Sequence, residues 1–396
     1  MSVITDAVVL MAKRTAIGSF GGALSNVSTA ELGRQLAREL LDLTNVKDDD
    51  VDQTIVGCVL QAGIGLNIAR QISVNTGIPP TVPAFTVNEV CGSGLKALEL
   101  AAKDIWLGNS RVVLAGGVES MSRAPFLVSR EDPSRPGSVP PRIDHIHQDA
   151  LVDPFSGVLM GSTAEIIADE AGVTRTKQDV YALESYERYF RSRKKLAEEI
   201  VPVVVPGSSG NLSFEIDESP RGTSLDSLAA LQPIFDDSGT VTAGNSSSYS
   251  DGAALAIITD RKWADAKDLP YKFVLRGFET VGLDPIRMGL GPVEAIRSLW
   301  HKFSLSDKDI DLYEINEAFA GQVLAVIQSL NIRHDRVNVN GGAVALGHPL
   351  GASGCRLIVT LTHEMARRGS QRGIAALCIG GGMGIAVLVE AAQNTP

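Results

Sequence analysis

The second half of this 396-residue chain repeats the order of local patterns found in its first half. In the first half, a β-branched run leads into the glycine-flanked segment 91–94 (CGSG), then a helical period, a strand at 111–115 and two glycines. In the second half, VNVNGG at 337–342 stands where that run stands, followed by GASG at 351–354, a helical period, a strand at 374–379 and three glycines. Such a repeat indicates duplication of one α/β unit. We expect one active site shared by the two halves.

A segment of different composition interrupts the alternation of strands and helices, which indicates α/β layers with an insertion. From 121 to 243 the chain is richer in Pro, Arg, Asp and Ser, and residues 133–149 are predicted to form an exposed excursion. We divide the chain into an N-terminal half (1–120 with 244–270), an inserted loop domain (121–243) and a C-terminal half (271–396).

Charge and cysteine content narrow the class of protein. The formal net charge is −10, whereas nucleic-acid binding calls for a basic surface. No apolar run reaches the length of a membrane span, and the first residues lack the basic-then-apolar order of a signal peptide. Four cysteines in so long a chain suit a reducing compartment. We expect a cytoplasmic protein that binds neither nucleic acid nor a membrane.

Cys91 lies at the corner between a strand-like run and a helix that is predicted to begin just after Gly94 and to end at Gly108. A thiol at a helix N-terminus faces unpaired N–H groups and the positive end of the helix dipole, which lower its pKa from the free value of about 8.5. Gly92 and Gly94 permit a close backbone approach that a merely packed cysteine does not need. Cys91 is the predicted nucleophile, whereas Cys58, in an apolar run, is interpreted as a buried hydrophobic residue.

Three polar segments of the second half carry further candidates. His348 lies between a glycine and a proline, on a turn whose backbone is restricted. Cys378 ends an apolar strand that runs into the glycines 380–382, whose N–H groups can face a developing oxyanion. The amide of Asn316 can orient a water molecule. Together with Cys91 these groups supply a nucleophile, a base and a second thiol for proton transfer, a set that indicates acyl transfer with an additional proton step.

A metal site is not expected. His145 and His147 are two residues apart in a Pro-rich segment, without a cysteine or carboxylate cluster of ligand spacing beside them. Both are interpreted as solvated side chains.

In these motifs the sequence resembles the thiolase family, and within it the acetyl-CoA acetyltransferases. The matching blocks, in order along the chain, are VNEVCGSGLKAL, GGVESMS, NEAFA, VNVNGGAVALGHPLGASG and LCIGGGMG. The resemblance implies two duplicated α/β halves in a five-layer α-β-α-β-α sandwich, an inserted loop domain that holds CoA, and a homotetramer. It also implies that acetyl-CoA, CoA and 3-oxoacyl-CoA are substrates and that no cofactor is needed.

The resemblance further implies a role for each residue. His348 takes the proton of Cys91, which attacks an acyl-CoA thioester, and Cys378 then removes an α-proton from a second acetyl-CoA. His348 and a water on Asn316 hold the enolate oxygen, and the N–H groups of Cys91 and Gly380 hold the tetrahedral oxygen. The residues that fall at CoA-contacting positions of the family are Met160, Arg221, Phe235, Ala243, Ser247, Ala318 and Phe319.

Two departures from the family pattern leave acyl chain length open. Leu159 stands where many acetoacetyl-specific members have histidine, and Tyr249 stands where an aliphatic residue is usual. A broader 3-ketoacyl-CoA thiolase is therefore an alternative.

Three other functions are alternatives for a chain with these residues. A papain-like hydrolase also uses Cys, His and Asn but leaves Cys378 unexplained. A β-ketoacyl synthase needs a second histidine in place of Asn316. A non-catalytic acyl-CoA-binding protein would show decay of the site, whereas all four groups are present.

Overall fold

The computed structural model describes residues 5–129, 141–207 and 210–392. The strands are β1 (Ala7–Thr15), β2 (Gly18–Ser19), β3 (Gln53–Gly57), β4 (Ala84–Val87), β5 (Val112–Ser120), β6 (Phe126–Val128), β7 (Arg142–Asp144), β8 (Ile200–Val201), β9 (Val203–Gly207), β10 (Gly210–Phe214), β11 (Ser250–Asp260), β12 (Phe273–Gly282), β13 (Leu312–Ile315), β14 (Arg372–Ile379) and β15 (Met383–Ala391). The helices are α1 (Thr29–Thr44), α2 (Ile68–Thr76), α3 (Ser93–Trp106), α4 (Met160–Glu170), α5 (Arg175–Leu196), α6 (Leu225–Ala229), α7 (Arg261–Ala266), α8 (Gly291–Lys302), α9 (Ala320–Leu330), α10 (Ala343–Leu346) and α11 (Leu350–Arg368).

Helices α3 and α11 cross at the centre of the molecule, and the repeated glycine motif explains how they do so. A Cβ atom added to Gly94 would lie 2.6 Å from the carbonyl oxygen of Gly351 in α11. A Cβ atom added to Gly354 would lie 2.3 Å from the backbone nitrogen of Leu95 in α3. Because neither position has room for a side chain, the two helices meet backbone to backbone at their N-terminal ends.

The strands form one continuous sheet around this helix pair, in the order β13-β14-β15-β12-β1-β11-β5-β3-β4. The halves join where β1 and β12 pair antiparallel at Val8↔Val274 and Val9↔Phe273. A core cluster between the two half-sheets contains apolar residues of both central helices, including Leu98.

Helices cover the outer faces of both half-sheets. Helices α1 and α2 pack on the N-terminal half-sheet, and α8 and α9 pack on the C-terminal one. Taken with the central pair α3 and α11, they complete five layers in the order α-β-α-β-α. The predicted fold class is therefore confirmed.

The chain between β5 and β11 carries α4, α5, α6 and the hairpins β6–β7 and β9–β10. It is joined to β1 through buried charges. Arg14 lies 3.0 Å from Glu199 and 2.6 Å from Asp217, and all three are buried. Removing one partner of such a group leaves an uncompensated buried charge, so these contacts fix how the inserted segment sits on the sheet. The division at 121 and 243 remains a prediction.

The strand predicted at 111–115 is longer than expected. Strand β5 continues through Gly116 and Gly117 to Ser120, paired throughout with β11. A Cβ atom added to Gly117 would lie 1.9 Å from the carbonyl oxygen of Gly351. The glycines inside this strand therefore make room for α11 and do not end the strand.

The run at 337–342 is not a strand, although the repeat places it where the first half has one. Its backbone turns at Asn338, whose φ is +48°. The Asn338 side chain accepts the N–H of Ile315 at 2.8 Å and donates to the carbonyl of Ile315 at 2.8 Å. These side-chain hydrogen bonds and one backbone hydrogen bond, from the N–H of Asn338 to the carbonyl of Tyr313 at 2.9 Å, join the run to β13.

The excursion predicted over 133–149 is described only in part, since residues 130–140 lie outside the described ranges. The solvated reading of His145 is wrong, because His145 is only 3% exposed and its Nε2 lies 3.1 Å from a carboxylate oxygen of Asp149. The neighbouring Ile146 packs into an apolar cluster, and the adjacent His145 is buried with it. His147 is exposed, as predicted. Within the described ranges, no helix has the length and apolarity that crossing a bilayer requires.

Candidate active site

A cavity of about 470 Å³ lies where the N-terminal ends of α3 and α11 meet the ends of β13 and β14. It brings together the predicted site residues of both halves. Those that line it are Cys91, Met160, Arg221, Phe235, Ala243, Ser247, Ala318, Phe319, His348, Cys378 and Gly380. Asn316 lies behind this lining, in contact with His348.

Cys91 is placed by a strained corner immediately before α3. The preceding residue, Val90, has a φ of +47°, a left-handed conformation that β-branched residues rarely adopt. The Ser93 hydroxyl stabilises the corner, because it accepts the N–H of Glu89 at 2.8 Å and donates to the carbonyl of Val90 at 2.6 Å. The turn therefore presents Cys91 to the cavity just before the first turn of α3.

The thiol of Cys91 is less acidic than the sequence predicted. Burial raises its pKa to about 11, although hydrogen bonds from the N–H groups of Gly380 and of Cys91 itself favour the thiolate. The predicted lowering of this pKa is wrong because the thiol packs against an apolar cluster that includes Met121 and Leu350. Cys91 is consequently a neutral thiol at neutral pH and needs a base to act as a nucleophile.

His348 is held in one tautomer. Its Nδ1 lies 2.6 Å from the hydroxyl oxygen of Ser353, and that hydroxyl donates its hydrogen to the carbonyl of Pro349 at 2.9 Å. Since the hydroxyl has a single hydrogen, it accepts from His348, which places the imidazole proton on Nδ1. Burial and the nearby charge of Arg356 lower the pKa of His348 to about 3. Nε2 is therefore the unprotonated nitrogen of the imidazole, the one that can accept a proton.

The amide of Asn316 is oriented by the two groups on either side of it. Its Oδ1 accepts a hydrogen bond from Arg356 at 3.5 Å, and its Nδ2 lies 3.3 Å from Nε2 of His348. A guanidinium only donates hydrogen bonds, so the amide oxygen must face Arg356 and the amide hydrogens must face His348. The Arg356 guanidinium lies 3.4 Å from Glu314, and both are buried. The ion pair of Arg356 with Glu314 therefore fixes the orientation of the Asn316 amide, which lies against His348.

Cys378 is the next-to-last residue of β14, beside a glycine turn. It is 1% exposed, and burial together with the nearby Cys91 raises the pKa of its thiol. The turn from Gly380 to Gly382 connects β14 to β15, and Gly381 and Gly382 have φ values of +85° and +83°. The glycines therefore let the chain reverse within three residues, with the N–H of Gly380 directed at the sulfur of Cys91.

Two apolar walls of the cavity each contain one thiol. Cys91 packs with the residues that we call the Cys91 wall, which are Met121, Ala150, Leu151 and Leu350. Cys378 packs with the residues that we call the Cys378 wall, which are Met160, Met288, Ala318 and Phe319. The sequence did not point to Met121, Ala150, Leu151, Met288 or Leu350, because each is an ordinary apolar residue, and the motifs that contain Met121 and Leu350 drew attention to their polar residues.

The loops that lead out of the cavity are tied together in pairs. The N–H and the hydroxyl of Ser247 both donate to the carbonyl of Ala318, each at 3.0 Å. Phe235 packs edge-on against Phe319, with ring centroids 6.1 Å apart. Arg221 is exposed at this end, where its guanidinium is accessible to an anion. The end of the cavity lined by Phe235, Phe319 and Arg221 therefore combines apolar surface with a guanidinium cation.

A buried carboxylate under the Cys91 wall was also missed by sequence reasoning. Glu119 accepts the N–H groups of Val59 and Leu60 at 3.1 Å each and that of Gly351 at 2.9 Å. Burial raises its pKa to about 7, although these hydrogen bonds oppose the rise. Glu119 therefore forms hydrogen bonds both to the loop after β3 and to the first turn of α11. His348 lies two residues before that helix begins. Its position within the GGVESMS block was the available signal.

Ser353 and Arg356 were missed as well. Both lie in α11, five and eight residues after His348. Because residues three apart lie on the same side of a helix, Ser353 contacts His348 and Arg356 contacts Asn316 from one helix face. The helical spacing from Pro349 was the signal that could have found them.

Profiles of known families match almost the whole chain. The family described as "Thiolase, N-terminal domain" matches residues 7–262, and "Thiolase, C-terminal domain" matches residues 269–391. The chain belongs to the thiolase family. This thiolase is 46% identical to the acetyl-CoA acetyltransferase of Chromobacterium violaceum over 390 residues, which are 97% of this chain and 99% of that relative.

Solved thiolase structures have the same fold. The acetyl-CoA acetyltransferase of Bacillus anthracis superposes with a TM-score of 0.96 at 38% identity, covering 99% of this thiolase and 100% of that chain. Human mitochondrial 3-ketoacyl-CoA thiolase superposes with a TM-score of 0.95 at 38% identity, covering 98% and 99%. Within residues 5–129, 141–207 and 210–392, no group of three or more His, Cys, Asp and Glu side chains is arranged to hold a metal ion.

Proposed function

We propose that this thiolase is an acetyl-CoA C-acetyltransferase, which condenses two molecules of acetyl-CoA reversibly to acetoacetyl-CoA and CoA. The name of the Chromobacterium violaceum relative supports this activity. The observation that carries the proposal is the pair of thiols in one cavity with a neutral imidazole beside them. Hydrolysis through a cysteine needs one thiol, whereas condensation needs a second group to remove a carbon-bound proton.

In the first half-reaction, Nε2 of His348 accepts the proton of Cys91 and the sulfur attacks the thioester carbonyl of acetyl-CoA. The new carbon–sulfur bond forms as the bond to the CoA sulfur breaks, and the departing CoA takes up the proton from His348. The N–H groups of Gly380 and Cys91 stabilise the oxyanion, and loss of one such donor typically costs about 100- to 1,000-fold in rate.

In the second half-reaction, the thiol of Cys378 gives its proton to Nε2 of His348, and the resulting thiolate removes an α-proton from a second acetyl-CoA. The carbanion attacks the acetyl group on Cys91, and the carbon–sulfur bond to Cys91 breaks. The products are acetoacetyl-CoA and the Cys91 thiolate, which takes the α-proton from Cys378, and Cys378 then recovers its own proton from His348. Asn316 and His348 hold the enolate oxygen, directly or through water. The same groups, run in reverse, cleave acetoacetyl-CoA with CoA.

The CoA moiety is proposed to lie across the inserted loop domain, residues 121–243, and on the segments that enclose it. Met160, Phe235, Ala243, Ser247, Ala318 and Phe319 offer apolar surface and backbone groups to the pantetheine arm. Arg221 offers a cation to a phosphate.

The test is cleavage of acetoacetyl-CoA by the purified protein with and without CoA. We expect consumption of acetoacetyl-CoA that depends on added CoA and yields two acetyl-CoA. Consumption that proceeds equally well without CoA would instead establish a hydrolase. Activity that survives dialysis against a chelator is expected as well, since the proposed chemistry uses no cofactor and no metal.

A broader 3-ketoacyl-CoA thiolase is the second candidate. Leu159 in the cavity lining and the likeness to human mitochondrial 3-ketoacyl-CoA thiolase favour it. A higher kcat/KM for 3-oxodecanoyl-CoA than for acetoacetyl-CoA would select this candidate.

We also propose a homotetramer in the cytoplasm. Strand β4 lies at an edge of the sheet, and the nearby Leu66 is 90% exposed, an arrangement suited to pairing with another copy. A reducing compartment keeps Cys91 and Cys378 available as thiols. Light scattering after size exclusion tests the assembly, and a dimer or a monomer would contradict it.

A further inference from the structure

Tyr249 lies at the mouth of the cavity on the side of the Cys91 wall. The residue after it, Ser250, donates its N–H to the sulfur of Met121 at 3.3 Å. Tyr249 itself is 43% exposed and lines the same cavity as Cys91 and Met121. The ring therefore lies at the mouth of the cavity, on a backbone that adjoins the Cys91 wall.

The backbone on both sides of Tyr249 is fixed to the catalytic turn. The carbonyl of Ser248 accepts the N–H of His348 at 3.0 Å and the hydroxyl of Ser250 at 3.0 Å. A Cβ atom added to Gly347 would lie 2.0 Å from that hydroxyl oxygen, so the two segments are in close contact. The backbone that carries Tyr249 is therefore held against the turn that carries His348.

Phe20 holds the ring of Tyr249 from the other side. Strand β2 pairs antiparallel with the start of β11 at Ser19↔Ser250, and this register places Phe20 opposite Tyr249. The rings meet edge to face, with centroids 6.0 Å apart and planes at 80°. Phe20 is 55% exposed and is not among the described residues that line the cavity.

We propose that Tyr249, held in place by Phe20, limits the length of the acyl group that Cys91 accepts. The inference rests on the proposed function and deepens it, because it assigns short-chain 3-oxoacyl-CoA as the substrate class. The Cys91 wall is apolar and would otherwise admit additional methylene groups. In this proposal the tyrosine ring, which lines the same cavity and is partly exposed at its mouth, stands where a longer chain would extend. Phe20 acts through Tyr249 and is a positioning residue.

The experiment compares cleavage of acetoacetyl-CoA, 3-oxohexanoyl-CoA and 3-oxodecanoyl-CoA by the full-length wild type and by variants. The readout is the ratio of kcat/KM for the six-carbon substrate to that for acetoacetyl-CoA. In Tyr249→Ala we expect this ratio to rise by about tenfold or more, the order of one methylene group admitted to an apolar pocket. In Phe20→Leu we expect a smaller rise, by about threefold.

Phe190→Leu is the matched control. Phe190 is also a half-exposed phenylalanine that packs edge-on against a tyrosine, Tyr189, with ring centroids 5.4 Å apart, and it lies on α5. We expect its substrate ratio to equal that of the wild type. Tyr249→Leu keeps an apolar side chain of intermediate size and provides a second variant if Tyr249→Ala fails to fold.

The outcomes separate the inference from the function on which it rests. A wild type that cleaves the six-carbon substrate as well as acetoacetyl-CoA overturns the inference but leaves thiolase activity intact. Unchanged ratios in the variants of Tyr249 and Phe20 also overturn it. A wild type that cleaves none of the three substrates removes the proposed function, and the inference with it.

Discussion

Ser353 fixes His348 in the tautomer that leaves Nε2 unprotonated. The hydroxyl of Ser353 lies 2.6 Å from Nδ1 of His348 and has its only hydrogen committed to the carbonyl of Pro349. One side chain on the helix after the histidine thus decides which nitrogen can act as the base. It does so without lining the described cavity.

The first prediction concerns this hydroxyl. Ser353→Ala removes the acceptor for Nδ1–H, so the imidazole is free to change tautomer and to rotate. We expect kcat for acetoacetyl-CoA cleavage to fall about 3- to 10-fold, the value of one neutral hydrogen bond. Ser353→Thr keeps the hydroxyl and is the control. An alanine variant with the kcat of the wild type would show that the tautomer is set in another way.

The second prediction concerns the orientation of Asn316 by Arg356. In Arg356→Met the amide loses the donor that faces its oxygen, and the NH2 group is free to turn away from His348. We expect kcat to fall about tenfold, since a hydrogen bond to a charged group is lost. We expect the KM for CoA to change little, because Arg356 does not line the described cavity.

A double-mutant cycle separates this positioning from a general loss of stability. If Arg356 acts through the amide, Arg356→Met should reduce kcat much less in an Asn316→Ala background than in the wild type. Equal losses in the two backgrounds would assign Arg356 a purely structural role. The melting temperature of each variant is measured alongside.

The third prediction follows from the pKa values of the catalytic pair. With the pKa of Cys91 raised to about 11, its thiolate fraction grows with pH across the neutral range. We expect the rate of alkylation by iodoacetamide to rise about tenfold per pH unit between pH 7 and pH 9, since only the thiolate reacts. A rate that is flat over this range would mean that Cys91 is already ionised in the resting enzyme.

The lowered pKa of His348 predicts how the stability of the protein depends on pH. The pKa of His348 in the folded protein is about 3, below the unfolded value of about 6.5. The unfolded chain therefore binds a proton first as the pH falls, and the stability contributed by neutral His348 is lost between about pH 6.5 and pH 3. In His348→Asn, the free energy of unfolding should depend less on pH in this window. An identical pH dependence in both proteins would contradict the lowered pKa.

The fifth prediction concerns the crossing of α3 and α11. Gly354→Ala places a methyl group 2.3 Å from the backbone of Leu95, where neither helix has a flexible side chain to move aside. We expect a loss of at least about 1 to 3 kcal/mol in the free energy of unfolding, as for other overpacked cores. Gly222→Ala is the control, because a Cβ atom there meets nothing within 4 Å. Equal stability of the two variants would contradict the close crossing.

Much of the architecture follows from sequence patterns that have a local physical cause. Helix α1 begins at Thr29, because Ser28 caps it by accepting the N–H of Glu31 at 3.2 Å. Helix α2 ends at Gly77, whose φ of +106° suits glycine. The duplication was visible because both halves need a glycine at the helix crossing.

The remainder depends on contacts between segments far apart in the chain. The pKa of Cys91 was predicted in the wrong direction because burial outweighs the helix N-terminus, and burial depends on Leu350 of the other half. The repeat aligns 337–342 with a strand of the first half, but the run turns at Asn338, whose side chain bonds to Ile315 of β13. The apolar walls could not be predicted, since nothing local distinguishes Met288 from a core residue.

The most direct test of the account is the site of covalent acylation. Wild type, Cys378→Ala and Cys91→Ala are incubated with radiolabelled acetyl-CoA, quenched in acid and mapped by peptide mass spectrometry. The account predicts one acetyl group on Cys91 in Cys378→Ala, where the acyl-enzyme forms but condensation is blocked, and no label in Cys91→Ala. An acetyl group on Cys378, or label retained by Cys91→Ala, would contradict the assignment of nucleophile and base.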